Sequence, residues 1–494
     1  MQYAINVLTL CLVLLCTLEV KSQMPGLAWS DTVLVADAGV YGKTMPRIAL
    51  NSAGEPIIVW GLNSNNSKMH VATWNGIRFN EPVDILPLGL NPRVTFTSSP
   101  DIAAIGDEVF ITYATLPEGV GSIYLQKSTD GGSTFTDTIR VDTYPDSTTT
   151  YSSSIDLKSD GNPAIVFFKK NGLNEASFAD VSVTSSDGGF TYSPPQNCTQ
   201  NGPGVPTDCC QPSITVRNNY HAVLYRNDYL GFKEIYAALS SDHGASFDTV
   251  IRFDRSDFSL AVCPISNPIG TLQGDTLFGM WMTMATGTPR VVLGALDVVN
   301  GSFAFNKDID NTVPSSVSQG YPSITGRGDT LGFVWADDRN ASSSNDCIFR
   351  YSFSGSGQLS PPINIHGGPM VGNQITPDVI FRNGVFHFVW ADFSHNIVVY
   401  RSATIDTSIV AGGREEVIAE FNISPNPFSE VINIAAPNDE ITDLNIWNSA
   451  GQLVAAEVAN NGKLRLSTET WPKGVYLIEV TSSAQIYRQK VVKQ

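Results

Sequence analysis

One eight-residue pattern occurs three times at a nearly constant spacing, and it narrows the possible folds more than any other feature. Ser128-Thr129-Asp130-Gly131-Gly132-Ser133-Thr134-Phe135 is followed by Ser185-Ser186-Asp187-Gly188-Gly189-Phe190-Thr191-Tyr192 and Ser240-Ser241-Asp242-His243-Gly244-Ala245-Ser246-Phe247. Each reads Ser-x-Asp-x-Gly-x-Thr/Ser-aromatic, and the copies recur about every 56 residues. A fixed period of that size marks a repeat architecture. The residue types have a local logic. The Asp carboxylate accepts hydrogen bonds from nearby backbone N–H groups and closes a self-bonded turn. The Gly supplies positive φ, and the terminal aromatic packs beneath the turn. All three copies are expected to fasten hairpins rather than to carry chemistry.

A broader repeat runs through the same region. Its copies begin at Pro46-Arg47-Ile48, Pro100-Asp101-Ile102, Ser154-Ile155, Pro212-Ser213-Ile214, Asn267-Pro268-Ile269, Pro322-Ser323-Ile324 and Pro377-Asp378-Val379. Hairpin turns follow, such as Ala53-Gly54, Asp160-Gly161 and Asn383-Gly384. Each second strand closes on an aromatic near Trp60, Tyr113, Phe168, Tyr225, Trp281, Trp335 or Trp390. Seven copies of about 55 residues fit seven four-stranded blades. The copy around Pro268 is degenerate, which keeps six blades as the alternative. The last copy supplies only three strands, and Asp31–Ala36 is expected to complete it and remove the open sheet edge. The eight-residue pattern resembles the Asp box of sialidase-like β-propellers. The resemblance implies an all-β propeller over residues 23–411, with the boxes on the face away from any active site.

The two ends read differently. Residues 1–22 form a secretory signal peptide: Val7–Leu18 is apolar and uncharged, too short to span a membrane, with cleavage expected near Ser22. No other segment is a candidate transmembrane span. The repeat stops at Ala411-Gly412-Gly413. Residues 412–420 read as a linker, and 421–494 as a small Ig-like β-sandwich. This last segment carries Ser424-Pro425-Asn426-Pro427-Phe428, Gly474-Val475-Tyr476 and a basic end with Lys490 and Lys493. It resembles the type A C-terminal sorting domain of the Bacteroidetes type IX secretion system. The resemblance implies that this machinery is a partner through residues 421–494 and that the protein ends up extracellular or on the outer-membrane surface. An Ig-like adhesion domain is the alternative.

The net charge of −17 leaves no basic stripe to neutralise a nucleic-acid backbone, so nucleic acid is not an expected partner. Beyond the signal segment five cysteines remain: Cys198, Cys209, Cys210, Cys263 and Cys347. Disulfides Cys198–Cys209 and Cys210–Cys263 are expected in an oxidising compartment, with Cys347 a buried thiol. The Cys and His spacing matches no zinc pattern.

In a propeller, residues just before each inner strand and just after each second strand ring one funnel. Sialidases need three arginines to clamp a carboxylate, a Tyr–Glu nucleophile and an Asp acid. The resemblance offers Arg47 (within Arg47-Ile48-Ala49-Leu50), Arg226 and Arg339, with Tyr321, Glu234 and Asp101 for the remaining roles. Arg47-Ile48 lacks the proline of the family's Arg-Ile-Pro motif. The competing reading is that these arginines make ion pairs within the blades, Arg339 with the neighbouring Asp337 and Asp338. No cofactor is expected; Ca²⁺ is the one ion that Asp337, Asp338 and Asp392 would suit. The leading expectation is extracellular binding of a glycan or protein. An exo-acting, sialidase-like glycoside hydrolase and a structural surface-layer component are the alternatives.

Overall fold

The computed structural model describes residues 24–37, 42–63, 67–86, 90–117, 121–136, 138–145, 147–255, 263–264, 266–340, 344–355, 357–367, 372–406, 422–435, 443–448, 452–457, 463–481 and 486–494. The signal segment and the linker lie outside them. The chain divides into two compact units, Met1–Asp406 and Thr407–Gln494. Among the described residues no helix is long and apolar enough to cross a membrane.

The first unit is a propeller of seven antiparallel sheets. The inner strands of blades 1 to 7 are Lys43–Leu50, Asp101–Ile105, Thr149–Leu157, Ser213–Arg217, Ile269–Gln273, Gln319–Arg327 and Gln374–Arg382. Each touches the next around the ring, and the seventh touches the first. Second strands such as Pro56–Leu62, Thr330–Asp337 and Val385–Asp392 are buried almost end to end. They are sandwiched between neighbouring blades on both faces, so they read as continuous apolar runs rather than as alternating ones. The aromatics that mark their ends, Trp60, Tyr113, Phe168, Tyr225, Trp281, Trp335 and Trp390, are fully buried.

Closure uses the N-terminal segment. Val33–Ala36 pairs with the last strand, Ile397–Asp406, through Val33↔Tyr400 and Leu34↔Val399. A further strand, Gly26–Trp29, continues along the same edge from Gly26↔Asp406 to Trp29↔Ala403. The sequence pattern shows only the first of these two. Gly26–Trp29 is held by Trp29 stacking on Phe388 at 5.5 Å.

An inner strand pairs on one side only, which leaves a row of N–H groups facing the axis. At five of the seven junctions a side chain of the preceding blade accepts from one of them. Asp101 accepts from Ile155 N–H at 3.0 Å, Asp156 from Val216 at 2.7 Å and Thr215 from Leu272 at 3.1 Å. Thr325 accepts from Phe381 at 3.0 Å, and Asp378 from Ile48 at 3.0 Å across the closing seam.

The three Asp boxes follow the third strands of blades 2, 3 and 4. Asp130 accepts from Thr134 N–H at 2.9 Å and from the Thr134 hydroxyl at 2.6 Å, while Ser128 Oγ accepts from Gly132 N–H at 2.9 Å. Asp187 and Asp242 repeat this arrangement. The second glycine also sets blade spacing. Gly189 has φ +88°, and a Cβ there would lie 3.0 Å from Leu125 and 3.3 Å from Phe110 in the previous blade. Phe247, at the end of the third box, is buried in the core.

The second unit is a sandwich of a three-stranded and a four-stranded sheet around Ile432, Ile446, Tyr476, Ile478 and Val491. Phe428 of the Pro-Asn-Pro-Phe run is buried against Trp471 and Tyr476. Its N–H donates to Val492 O, and its carbonyl accepts from Gln494 N–H, both at 2.9 Å. Lys493 is buried, donating to the carbonyls of Thr468 and Trp471. Part of the basic end therefore fastens the domain shut.

Hydrogen bonds from the threonine hydroxyl and from backbone N–H hold Asp130 and Asp187 down to about 2. A carboxylate depressed in the folded state contributes stability above its unfolded value near 3.8 and loses it as pH falls towards about 2. The unfolding temperature of the protein is expected to drop as pH falls through that window. An Asp130→Asn/Asp187→Asn double variant should start lower and fall less steeply. Parallel pH curves for the two proteins would contradict the assignment.

Candidate functional site

The inner strands all start on one face, and there four of them carry the same distortion. In blade 1, Thr44↔Gly61 is followed by Arg47↔Val59, so Met45 and Pro46 together face Trp60. The same two-against-one bulge occurs at Ser152-Ser153, Tyr321-Pro322 and Thr376-Pro377. The first residue of each takes positive φ: Met45 +51°, Ser152 +60°, Tyr321 +52°, Thr376 +51°. Bulky and β-branched residues rarely adopt this conformation, and strained bulges gather where a strand end must re-aim its side chains. The Pro-x-Ile signature is thus a bulge marker in three blades.

The bulges turn Met45, Tyr321 and Thr376 towards the axis, where they meet Phe96 from the loop ahead of blade 2. Phe96 lies 6.2 Å from Tyr321 and 5.4 Å from Phe393. All three rings are half-buried. Beneath them, a cavity of only about 10 Å³ lies among Met45, Arg47, Phe96, Asn267 and Tyr321. Among the described residues, these rings form an aromatic platform over that small cavity. A much larger axial cavity, about 570 Å³, lies among the other ends of the inner strands, lined by Asp101, Ser154, Asp156, Thr215 and Asp378 with Arg327 and Arg382. Burial pushes the Asp156 carboxyl up to about 6 and raises that of Asp101.

The candidate catalytic residues are distributed as follows. Arg47 is on the axis, mostly buried, 3.9 Å from Asp101 and 3.9 Å from Asp378. Tyr321 lines the same small cavity; its N–H donates to Ser266 Oγ at 3.1 Å, and burial raises its phenol. Arg47 therefore lies between Tyr321, which shares its small cavity, and Asp101, which lines the larger axial cavity. The other three stand apart. Arg226 is fully buried and donates to Lys233 O at 2.8 Å and Met282 O at 2.9 Å, tying blade 4 to blade 5. Arg339 pairs with Asp337 at 2.8 Å and with Asp310 at 2.7 Å. Glu234 pairs with Arg252. Phe96 and Phe393 were not singled out from the sequence. Phe393 directly follows the second strand of blade 7, a funnel position, and was legible by that rule; Phe96 sits in a loop with no periodic signal.

The acidic residues suited to Ca²⁺ are each engaged elsewhere. Asp337 accepts from Trp335 Nε1 and Arg339, Asp338 from Ser318 N–H at 2.8 Å, and Asp392 from His395 at 2.7 Å. Among the described residues, the one set of three metal-ligating side chains with donor atoms within 4.8 Å of one another is Cys209, Cys210 and Cys263. Cys209 and Cys263 form a disulfide, which corrects both pairings expected from the sequence. Cys210 is a buried thiol 3.7 Å from Cys209 Sγ and 3.9 Å from Cys263 Sγ. Cys198 is buried between blades 3 and 4 with Tyr225 and Phe247, committed to that core rather than to a bridge. Blades 4 and 5 are still tied, through the neighbouring cysteine.

Residues 422–494 match the family described as the secretion system C-terminal sorting domain. The second unit is a type IX sorting domain. Export to the cell surface or beyond follows from this tail. Among solved structures, the chain is similar to a protein of unknown function from Dyadobacter fermentans (10% identity, TM-score 0.47, covering 77% of this chain and 100% of that one). It is also similar to a Hadza microbial sialidase (11%, 0.46, 76% and 68%) and an α-L-arabinanase of Penicillium chrysogenum (12%, 0.45, 77% and 99%). No curated protein matches the chain.

Non-reducing peptide mapping should recover Cys209 linked to Cys263, with Cys198, Cys210 and Cys347 alkylated only after unfolding. Cys209→Ser should yield a Cys210–Cys263 bridge, because the Cys210 sulfur is already within 3.9 Å of Cys263. A Cys198–Cys209 peptide would overturn this connectivity.

Proposed function

We propose that the propeller is an extracellular binding module that engages a glycan or protein on the platform formed by Phe96, Tyr321 and Phe393. The observation that carries this reading is the combination of three half-exposed rings with a cavity of about 10 Å³ beneath them. Aromatic rings offer stacking area to a sugar face or a protein anchor, whereas an enclosed substrate pocket is usually some hundreds of Å³. Arg226 and Arg339 are held by partners within their own and neighbouring blades, which argues against an arginine clamp. The sorting domain supports a site of action outside the cell. In glycan-array and surface-protein capture experiments with the exported protein, a Phe96→Ala/Phe393→Ala variant is expected to lose roughly tenfold or more in affinity. Full retention of binding by that variant would sink the platform.

A second reading, an exo-acting glycoside hydrolase, is favoured by Arg47, which lies 3.9 Å from Asp101 and shares a cavity with Tyr321. Turnover of a fluorogenic sialoside that disappears in Arg47→Ala would establish it. No turnover by a wild-type protein that still binds glycan would remove it.

A further inference from the structure

A further cavity lies at the closing seam and shares no lining residue with the small cavity beneath the aromatic platform. It has a volume of about 310 Å³ and lies among residues of the outer strand Val33–Ala36 of blade 7 and of blade 1. That is at the lower end of the range for small-ligand sites. Trp60, His70 and Lys43 line it together with Asp37, Asn80 and Glu81. Leu34, Phe79 and Pro82 supply apolar wall.

Blades 6 and 7 provide an internal control for its polar groups, although the matching Trp281 Nε1 of blade 5 is unpartnered like that of Trp60. In blade 7, Trp390 Nε1 donates to Gln374 Oε1 at 2.8 Å; in blade 6, Trp335 Nε1 donates to Asp337 at 3.0 Å. Gln374 pairs across the sheet with Asp392, and Gln319 with Asp337; in blade 1 the same pair of positions is Lys43 and Leu62. Neither side chain can accept a hydrogen bond from the indole. Trp60 is accordingly 1% exposed with its N–H unpartnered. His70, stacked on Trp60 at 5.7 Å, also has a buried Nδ1 without a partner. An unmade hydrogen bond on a buried group leaves its desolvation uncompensated. Blade 1 carries two such groups beside a cavity, and it places a buried lysine, which donates to Asn396 O at 3.2 Å, where blades 6 and 7 have glutamine. The carboxylates of Asp37 and Glu81 belong to exposed residues, so the acceptors are at the rim while the donors and the positive charge are inside.

We infer that this seam cavity binds a small organic acid, with its carboxylate against the Trp60 indole N–H and the Lys43 ammonium, and with its hydroxyl or amine donors towards Asp37 and Glu81. Two sources share that chemistry: a sugar acid and a free α-amino acid. This site is independent of the aromatic platform, so either proposal can fail alone.

The test is titration of the ¹⁵N-labelled full-length protein while following the Trp60 indole resonance, assigned by its loss in Trp60→Phe. The probes are galacturonate and N-acetylneuraminate in one arm, alanine and serine in a second, and galactose as a neutral control. A saturable shift with at least one acid is expected, and Lys43→Met should weaken that binding about tenfold or more. The responding arm identifies the source. A flat titration with every acid overturns the inference, and so does a shift given only by galactose. A wild-type shift that Lys43→Met leaves unchanged also overturns it. Should Lys43→Met fail to fold, the wild-type titration decides alone.

Discussion

The propeller depends on how its inner strands are finished. Each is the exposed edge of a sheet, and seven such edges surround one axis. An unpaired backbone N–H buried there would carry a desolvation cost with no hydrogen bond to offset it. The chain answers with short acceptors on the preceding blade: Asp101, Asp156, Thr215, Thr325 and Asp378 each reach across to a backbone N–H of the next inner strand. These contacts set the spacing and order of the blades. They also occupy the axial carboxylates, so that Asp101 and Asp378 act as acceptors and as partners of Arg47 at the same time.

That double duty shapes what the molecule presents to its surroundings. Arg47 is drawn into the axis between two carboxylates, and the bulges at Met45, Tyr321 and Thr376 fold side chains over it. Among the described residues the funnel mouth presents the aromatic rings over a small cavity, and the larger axial cavity opens among the far ends of the same strands. The seam where the N-terminal strand closes blade 7 has a different character. There one blade departs from its sisters at Lys43 and Leu62, and the departure leaves a cavity with unpartnered polar groups. A repeat protein makes such departures visible, because neighbouring blades show what the same position does when it serves packing alone.

Much of the fold was legible because repeats write their period into the chain. The seven repeat starts, the aromatic second-strand ends and the three Asp boxes each fall where the blades put them. The Pro-Asn-Pro-Phe run and the final lysine mark a tail whose two ends fasten together. The site was far less legible. Arg226 and Arg339 satisfy a sequence search for clamp residues, yet their partners, Met282 O for one and Asp310 for the other, come from elsewhere in the chain. Phe96 stands in an aperiodic loop, and nothing local says that it reaches the axis. The cysteines fail for a related reason: Cys209 and Cys210 are adjacent in sequence, and only the path of the chain into blade 4 decides which one faces Cys263.

Sequence alone determined the features that arise from short-range chemistry repeated at a fixed interval: strand, turn, box, blade and the separate C-terminal sandwich. Tertiary structure decided the blade count, the two-part closing strand, the disulfide partner, the aromatic platform and the seam cavity. Each of these depends on groups from different blades meeting at the axis or at the closing seam. Such meetings leave no period in the chain. They arise only when every inner strand has found its neighbour and the last blade has found the first.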